Sequence, residues 1–363
     1  MRILVDMTHP ADFHLFRPAI EAWRERGHEV TLAARDKDLT RELIAARGWV
    51  AVPIGTQGRG TVGLAVEMLD RQRRLWGLIR RTRPDVVTSM SGAYVGPPAR
   101  LRGVPCVAWT DTEHAALQNR IGFAVSQAVV TPACYTGPVP SAKHLTYRGY
   151  HELAYLHPDR FTPAPDALRR FGLEPGEPFG FIRLVSWQAH HDVGQSGLAD
   201  LHKIVDAMQR HIRVLISSER PLPPELDRYA VKDHVELIHH LLAFARLVVA
   251  ESGTMISEAA VLGTPGVFAN TCRLGYITEQ DERYGLVRAF HHPDTMLDQT
   301  LAAIDELLGD ERTPERCRAA RRRMLDQCQD VTAVIRDTVE TYGRGESLPP
   351  GPVPFGEPAS PSV

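Results

Sequence analysis

A chain of 363 residues exceeds one ordinary hydrophobic core and suits two domains of roughly 150 residues each. Its 42 basic and 44 acidic residues leave a formal net charge of −2, without the basic field that phosphate-contacting nucleic-acid proteins need. With 43% hydrophobic and 24% charged residues, the composition is that of a folded globular protein, not a disordered or fibrous one.

Cys106, Cys134, Cys272, Cys317 and Cys328 are odd in number and widely spaced, which points away from a disulfide framework or a zinc knuckle. The N-terminal run Ile3-Leu4-Val5 meets Asp6 too soon for a signal peptide and reads as a first strand. No apolar run approaches the roughly 18 residues of a membrane span. A cytoplasmic location, no transmembrane segment and no nucleic-acid partner are therefore the expectations.

Short β-rich runs alternate with amphipathic stretches from end to end. Strands are expected at 2–6, 29–34, 50–54, 85–90, 105–109 and 128–131, with helices at 13–26, 38–47, 63–82 and 92–102. Runs such as Val104-Pro105-Cys106-Val107-Ala108 are apolar throughout, as in parallel strands covered on both faces. A Pro/Gly-punctuated stretch at 157–178 reads as a linker. The rhythm then restarts, with strands at 179–186, 212–217, 234–238, 246–250, 265–269 and 286–290. Helices are expected at 198–211, 254–262, 295–308 and 314–342. The proline-rich segment 343–363 reads as a disordered tail. Asp85-Val86-Val87-Thr88-Ser89-Met90-Ser91-Gly92 is echoed by Leu247-Val248-Val249-Ala250-Glu251-Ser252-Gly253, which suggests a duplicated doubly wound unit. Such domains bind ligands at the carboxyl ends of their strands.

Four segments could carry chemistry. In Glu251-Ser252-Gly253-Thr254-Met255-Ile256-Ser257-Glu258 a strand turns directly into a helix, whose first amides and dipole suit a diphosphate. Glu258, about a turn further on, can accept from both hydroxyls of a ribose. The plain alternative is a helix capped by Ser252 or Thr254. Arg183-Leu184-Val185-Ser186-Trp187-Gln188-Ala189-His190-His191-Asp192 sets an arginine in an apolar strand, which demands an anionic partner. Its histidines and acid offer proton transfer, or a metal site lacking an evident third ligand. Asp6-Met7-Thr8-His9-Pro10-Ala11-Asp12-Phe13-His14 brings a titratable trio to the first loop, for base catalysis or for helix capping. Thr110-Asp111-Thr112-Glu113-His114 crowds three ionisable groups past another strand.

Other signals are set aside. Gly58-Arg59-Gly60-Thr61-Val62-Gly63 matches a dinucleotide fingerprint only as a string, since it follows a third strand and lacks the acidic partner. The arginine runs at 71–83 and 316–323 read as solvated helix faces. His239-His240 and His291-His292 read as ordinary loop residues.

The opening Met1-Arg2-Ile3-Leu4-Val5-Asp6-x-x-His9-Pro10, Thr110-Asp111-Thr112-Glu113-His114-Ala115, His191-Asp192-Val193-Gly194, the Glu251–Ala260 segment and Leu274-Gly275-Tyr276 together resemble domain of unknown function family 354. Its members are regarded as predicted glycosyltransferases, and it resembles in turn the non-hydrolysing UDP-N-acetylglucosamine 2-epimerases. The resemblance spans about residues 1–340. It implies an α/β protein of GT-B fold: two Rossmann-like, doubly wound parallel-sheet domains facing a cleft. Residues 1–156 would form the acceptor-side domain and 179–325 the nucleotide-sugar-binding domain, with a helix at 326–342 returning to the first. The Ser252-Gly253-Thr254 turn matches the epimerases' Ser-Gly-Gly turn, Glu258 their ribose-holding glutamate, and Glu113 falls near a catalytic glutamate. Their His-Arg-Arg-Glu-Asn stretch is here Trp187 to Asp192, and their His-Gly-Asp segment is Met90-Ser91-Gly92, which favours glycosyl transfer over epimerisation.

The expected activity is metal-independent transfer from a nucleotide sugar, UDP-linked by this resemblance, to an acceptor the sequence does not name. No cofactor beyond that co-substrate is expected. The alternatives are an epimerase-like isomerase and a non-catalytic nucleotide-sugar-binding protein. Candidate catalytic residues are His9, Asp12, His14, Asp111, Glu113, His191 and Asp192. Candidate donor-binding residues are Arg183, Ser186, Ser252, Gly253, Thr254, Glu258, Asn270 and Arg273.

Overall fold

A computed structural model of the chain describes residues 1–35, 38–55, 60–185, 200–231 and 233–357. They divide into two compact units, one of residues 1–155 with 328 onward, the other of residues 156–327.

Unit 1 runs β1 (Arg2–Met7), α1 (Pro10–Glu25), β2 (Glu29–Ala34), α2 (Asp38–Ala45), β3 (Ala51–Pro53), α3 (Gly60–Thr82), β4 (Val86–Met90), α4 (Gly96–Leu101), β5 (Cys106–Trp109), α5 (Ala116–Val125), β6 (Ala128–Pro132) and β7 (His144–Tyr147), with α6 (Leu153–Leu156) at the boundary. Unit 2 runs β8 (Phe179–Leu184), α7 (Leu201–Gln209), β9 (Arg213–Ser218), α8 (Ile238–Phe244), β10 (Leu247–Ala250), α9 (Gly253–Leu262), β11 (Gly266–Ala269), α10 (Gly275–Glu282), β12 (Val287–Phe290), α11 (Pro293–Gly309) and α12 (Thr313–Leu325). The chain then re-enters unit 1 as α13 (Val331–Gly343) and β13 (Gly351–Pro352).

Among the described residues the unit 1 sheet has the order β13-β7-β6-β5-β4-β1-β2-β3, and the unit 2 sheet β12-β11-β10-β8-β9. The pairings are parallel, for example Leu4↔Val87 and Val249↔Ile182. Each apolar strand run is buried by helices packed on the sheet, with Leu4, Val87, Leu75 and Ile79 in one core and Ile182, Val249, Val267 and Ile304 in the other. The strand order reverses between β1 and β4 in unit 1 and between β8 and β10 in unit 2, and ligands of such sheets sit at the carboxyl ends beside that reversal.

The internal echo occupies equivalent places: β4 lies between β1 and β5, and β10 between β8 and β11. The turns after the two strands differ. Ser252 leads straight into α9, whereas Ser91 and Gly92 are both left-handed, at φ 53° and 73°. The second of these conformations suits glycine, while the first is uncommon for a residue with a side chain. Helix α5 packs against this turn so closely that a Cβ on Gly122 would lie 1.7 Å from the Ser91 carbonyl oxygen.

The structure corrects several expectations. Residues 157–178 are no bare linker: a 3-10 turn, Pro165–Phe171, buries Leu168, and Leu173 is buried beyond it. The expected strand at 234–238 is a 3-10 turn leading into α8, because Ile238, Leu241 and Leu242 fall at i, i+3 and i+4 on one helix face, with both leucines buried. The expected helix at 314–342 breaks near Asp330, whose side chain accepts from Ala333 N and starts α13 anew. Helix α13 docks on α1, with Trp23 Nε1 donating to the Arg336 carbonyl (3.2 Å) and Arg26 bonded to Glu340 (3.0 Å).

The segment from 344 to 357 belongs to the fold. Gly351 and Pro352 pair with Leu145 and Thr146, Val353 N donates to Thr146 O, and the Val353 side chain is buried. Proline is tolerated there because an edge strand has one unpaired side. Gln329 Nε2 secures it from within, donating to the carbonyls of Val353 and Phe355.

Gly122→Ala is expected to destabilise unit 1 by about 3 kcal/mol, because helix and turn cannot both keep their places around the added methyl. Denaturant unfolding followed by circular dichroism measures the loss, and a change near zero refutes the close packing.

Candidate functional site

At the unit 2 reversal, Glu251 stands immediately after β10 and is almost fully buried. Its Oε2 accepts from Val185 N (2.9 Å) just past β8, and its Oε1 meets Arg220 Nη2 (3.3 Å) beyond β9. One carboxylate thereby ties together the ends of three strands. Asn270 adds a further tether, donating from Nδ2 to Glu251 O and accepting Cys272 N at Oδ1, each at 2.8 Å. Glu251 and Arg220 were not singled out by the sequence reading, although an acid at a strand end beside a small-residue turn was a usable signal.

Helix α9 starts at once. Ser252 caps it, its Oγ accepting from Met255 N (3.4 Å). Residues Ser252 to Met255 are half-buried, so the first turn is not sealed. Gly253 has a packing cause as well as a ligand-binding one, because a Cβ there would come 2.4 Å from Leu274 Cδ1 and 2.5 Å from Tyr276 Oη. The Leu274-Gly275-Tyr276 segment therefore rests on this helix start. Glu258, buried further along α9, bonds His239 Nε2 at 2.9 Å. This corrects the reading of His239-His240 as ordinary loop residues. His239 is a buried residue of α8 with Phe161 edge-on at 6.1 Å, and His240 Nδ1 accepts Ala164 N.

Arg183 finds its anionic partner within its own sheet: Nη1 donates to Ser217 Oγ (2.8 Å) and Nη2 to Glu219, both from the end of β9. Arg273 lines a cavity of about 270 Å³ at the carboxyl end of β12, with Asp281, His291, His292 and Thr295. His291 Nδ1 donates to Asn270 O (2.8 Å), and burial lowers the pKa of its ring. Ser186, His191 and Asp192 lie outside the described residues, as do Gly58 and Arg59 of the fingerprint-like string.

In unit 1 the first loop adopts the capping alternative. His9 is the N-cap of α1, its Nδ1 accepting Ala11 N, and Asp12 Oδ2 accepts from Thr8 N (2.6 Å), Thr8 Oγ1 (2.9 Å) and His9 N (3.0 Å). Burial pushes the Asp12 carboxyl up, against these three donors. Asp12 is therefore engaged in holding the helix start. His14 packs beside Tyr155, ring centroids 5.3 Å apart.

Beneath this loop, Asp6 at the end of β1 is ion-paired with Arg71, which is fully buried beneath the Tyr94 ring. The reading of residues 71–83 as a solvated face fails at this position, and in the second run Arg321 Nε likewise donates inward to Val261 O. A guanidinium needs a compensating anion once out of water, and Asp6 is that anion.

The loop after β5 is the most closely tied. Asn119 Nδ2 donates to Thr112 O (2.9 Å), and Thr112 Oγ1 to Asp111 Oδ1 (2.9 Å). Glu113 Oε1 accepts from Thr136 N and Oγ1. Asp111 Oδ2 lies 3.0 Å from His151 Nδ1, a residue the sequence reading missed because nothing near it marked a motif. Burial opposes the Asp111 charge, but His151 and the hydrogen bonds outweigh it and hold the carboxyl below its ordinary range.

Two parallel sheets wrapped by helices, each with a reversal of strand order, give this chain the α/β GT-B fold. The solved structure of the S. aureus MnaA–UDP complex superposes with a TM-score of 0.69 at 12% identity, covering 97% of this chain and 99% of that one. Spinosyn rhamnosyltransferase SpnG complexed with thymidine diphosphate gives a TM-score of 0.61 at 16% identity, over 93% and 99%. By sequence, the UDP-N-acetylglucosamine–N-acetylmuramyl-(pentapeptide) pyrophosphoryl-undecaprenol N-acetylglucosamine transferase of Halorhodospira halophila is 26% identical over 342 residues, 88% of this chain and 92% of that protein. The chain belongs to the family described as "Protein of unknown function (DUF354)", whose model matches residues 1–342. Among the described residues no helix is long and apolar enough to cross a membrane.

Because the folded Asp111 carboxyl titrates below its unfolded value, its stabilisation is present above about pH 4 and is lost as pH falls through the lower, folded value. Asp111→Ala is expected to cost about 1–3 kcal/mol at pH 7 by stranding His151 Nδ1, with the difference from wild type shrinking below about pH 4. Urea unfolding across pH tests this, and a difference that grows in acid contradicts the sign.

Proposed function

We propose that this chain is a glycosyltransferase that moves a sugar from a UDP-linked donor to an acceptor hydroxyl without a metal ion, in the cytoplasm. Unit 2 holds the donor in this reading and unit 1 supplies the acceptor side. The observation that carries it is the start of α9: a half-exposed first turn at the sheet reversal, with buried Glu258 oriented by His239 further along the same helix. The amides and dipole of such a turn stabilise a diphosphate as charge develops on departure. Glu258 takes the ribose hydroxyls. The UDP donor is the choice supported by the named transferase relative and by the UDP in the MnaA complex.

The assigned roles differ from residue to residue. Ser252, Gly253 and Thr254 present the turn. Asn270 and Glu251 keep its shape, and Arg183, engaged by Glu219, sets the local charge instead of meeting phosphate directly. Arg273 stands at the neighbouring cavity as a further cation for the donor. An isomerase sharing the MnaA fold is the second reading, and it makes a different prediction for the sugar's C2 hydrogen.

Calorimetry with EDTA present is expected to show UDP binding, weakened at least about tenfold (1.4 kcal/mol) by Glu258→Ala. No UDP binding by the wild type, or binding indifferent to that substitution, defeats the donor assignment. Incubation of UDP-N-acetylglucosamine in deuterated water is expected to leave C2 unlabelled, whereas label at C2 would establish the isomerase instead.

A further inference from the structure

Unit 1 contains a carboxylate–imidazole pair that donor binding does not use. Asp111 follows β5 and His151 follows β7, on either side of β6 at the carboxyl edge of the sheet. Both side chains are largely withdrawn from solvent, at 13% and 7% exposure, with Nδ1 of His151 3.0 Å from Asp111 Oδ2. An ionised carboxylate only accepts, so Nδ1 carries the hydrogen, and the tautomer this selects for a neutral imidazole has its lone pair on Nε2.

That Nε2 is buried and has no hydrogen-bond partner among the described residues. The ring stacked alongside it, Tyr147 at 6.2 Å and 18°, likewise has a buried Oη without a partner among them. A buried polar atom left unmet costs about 1–3 kcal/mol, and well-packed proteins keep few. Two on adjacent rings leave this place short of a hydrogen-bond partner among the described residues. The Asp111 side is already settled, since Thr112 Oγ1 occupies its other oxygen and Asn119 fixes the loop. What is missing is a donor for Nε2, and a hydroxyl group is the smallest chemical answer.

We propose that His151 is the catalytic proton acceptor for the hydroxyl that receives the sugar, with Asp111 as its positioning residue. This rests on the glycosyl-transfer reading above. Nε2 takes the hydroxyl proton as the hydroxyl oxygen bonds to the anomeric carbon. The bond from that carbon to the diphosphate oxygen breaks, and its electron pair leaves with the nucleoside diphosphate. The proton stays on the imidazolium, stabilised by the Asp111 carboxylate, until solvent removes it. When water replaces the acceptor the same accounting yields free sugar and UDP.

The experiment follows UDP release from UDP-N-acetylglucosamine in water, alongside UDP affinity by calorimetry and thermal melting, for wild type, His151→Gln, His151→Ala and Asp111→Asn. Both His151 variants are expected to release UDP about 100-fold more slowly while UDP affinity stays within about twofold. Added imidazole is expected to restore release to His151→Ala but not to His151→Gln. Asp111→Asn is expected to lower kcat about tenfold or more with the donor KM unchanged. An unchanged rate in His151→Gln, imidazole without effect on a folded His151→Ala, or a wild type that binds UDP yet releases none overturns the proposal. If His151→Ala does not melt cooperatively, the other two variants decide. A wild type with no UDP affinity overturns the donor reading instead, and the assignment of His151 falls with it.

Discussion

A carboxylate taken out of water must be met by donors, and the carboxyl edges of both sheets are organised around that requirement. Asp6 is met by Arg71, Asp12 by Thr8 and His9, Asp111 by His151, Glu251 by Val185 N and Arg220, and Glu258 by His239. In most of these the partner arrives from another element, as when Arg71 reaches across from α3 to the end of β1. Each pairing therefore does two things: it makes burial of the acid tolerable, and it fixes the loop that carries it against the sheet. Removing one partner would leave a charge without compensation, which costs far more than the contact itself is worth.

The two units place equivalent strands at their reversals and then diverge. In unit 2 the chain turns through Ser252 and enters a ten-residue helix immediately, leaving amides at the strand edge. In unit 1 the corresponding turn passes through two left-handed residues and is sealed by α5 through Gly122. Asp111 and His151 of unit 1 stand one and three strands further along, after β5 and β7. A repeated backbone plan thus carries a half-exposed helix start in one copy and a carboxylate-backed imidazole in the other.

The alternating rhythm of the sequence identified most strands of both sheets, because parallel strands covered on both faces read as unbroken apolar runs. Elements with weaker patterns differ: His144–Tyr147 carries two polar residues in four, and the strand expected at 234–238 is a 3-10 turn with α8 following it. The segment around Gly351 and Pro352 has a disordered composition, yet it is held by an edge position and by Gln329. Among the candidate site residues, the Ser252-Gly253-Thr254 turn and Glu258 are picked out by local spacing alone. Arg71, His239 and His151 were not, since each acquires its meaning from a carboxylate brought to it by the fold.

Local order along the chain was enough to specify two parallel α/β units, the helix that starts after Glu251, and the acids waiting at the strand ends. These follow from periodicity and from turn chemistry, which act over a few residues. The choice of partner for each buried acid, the return of α13 onto α1, and the pairing of Asp111 with His151 belong to the tertiary structure. They depend on residues tens of positions apart becoming neighbours, and only packing around a common sheet brings them within hydrogen-bonding reach.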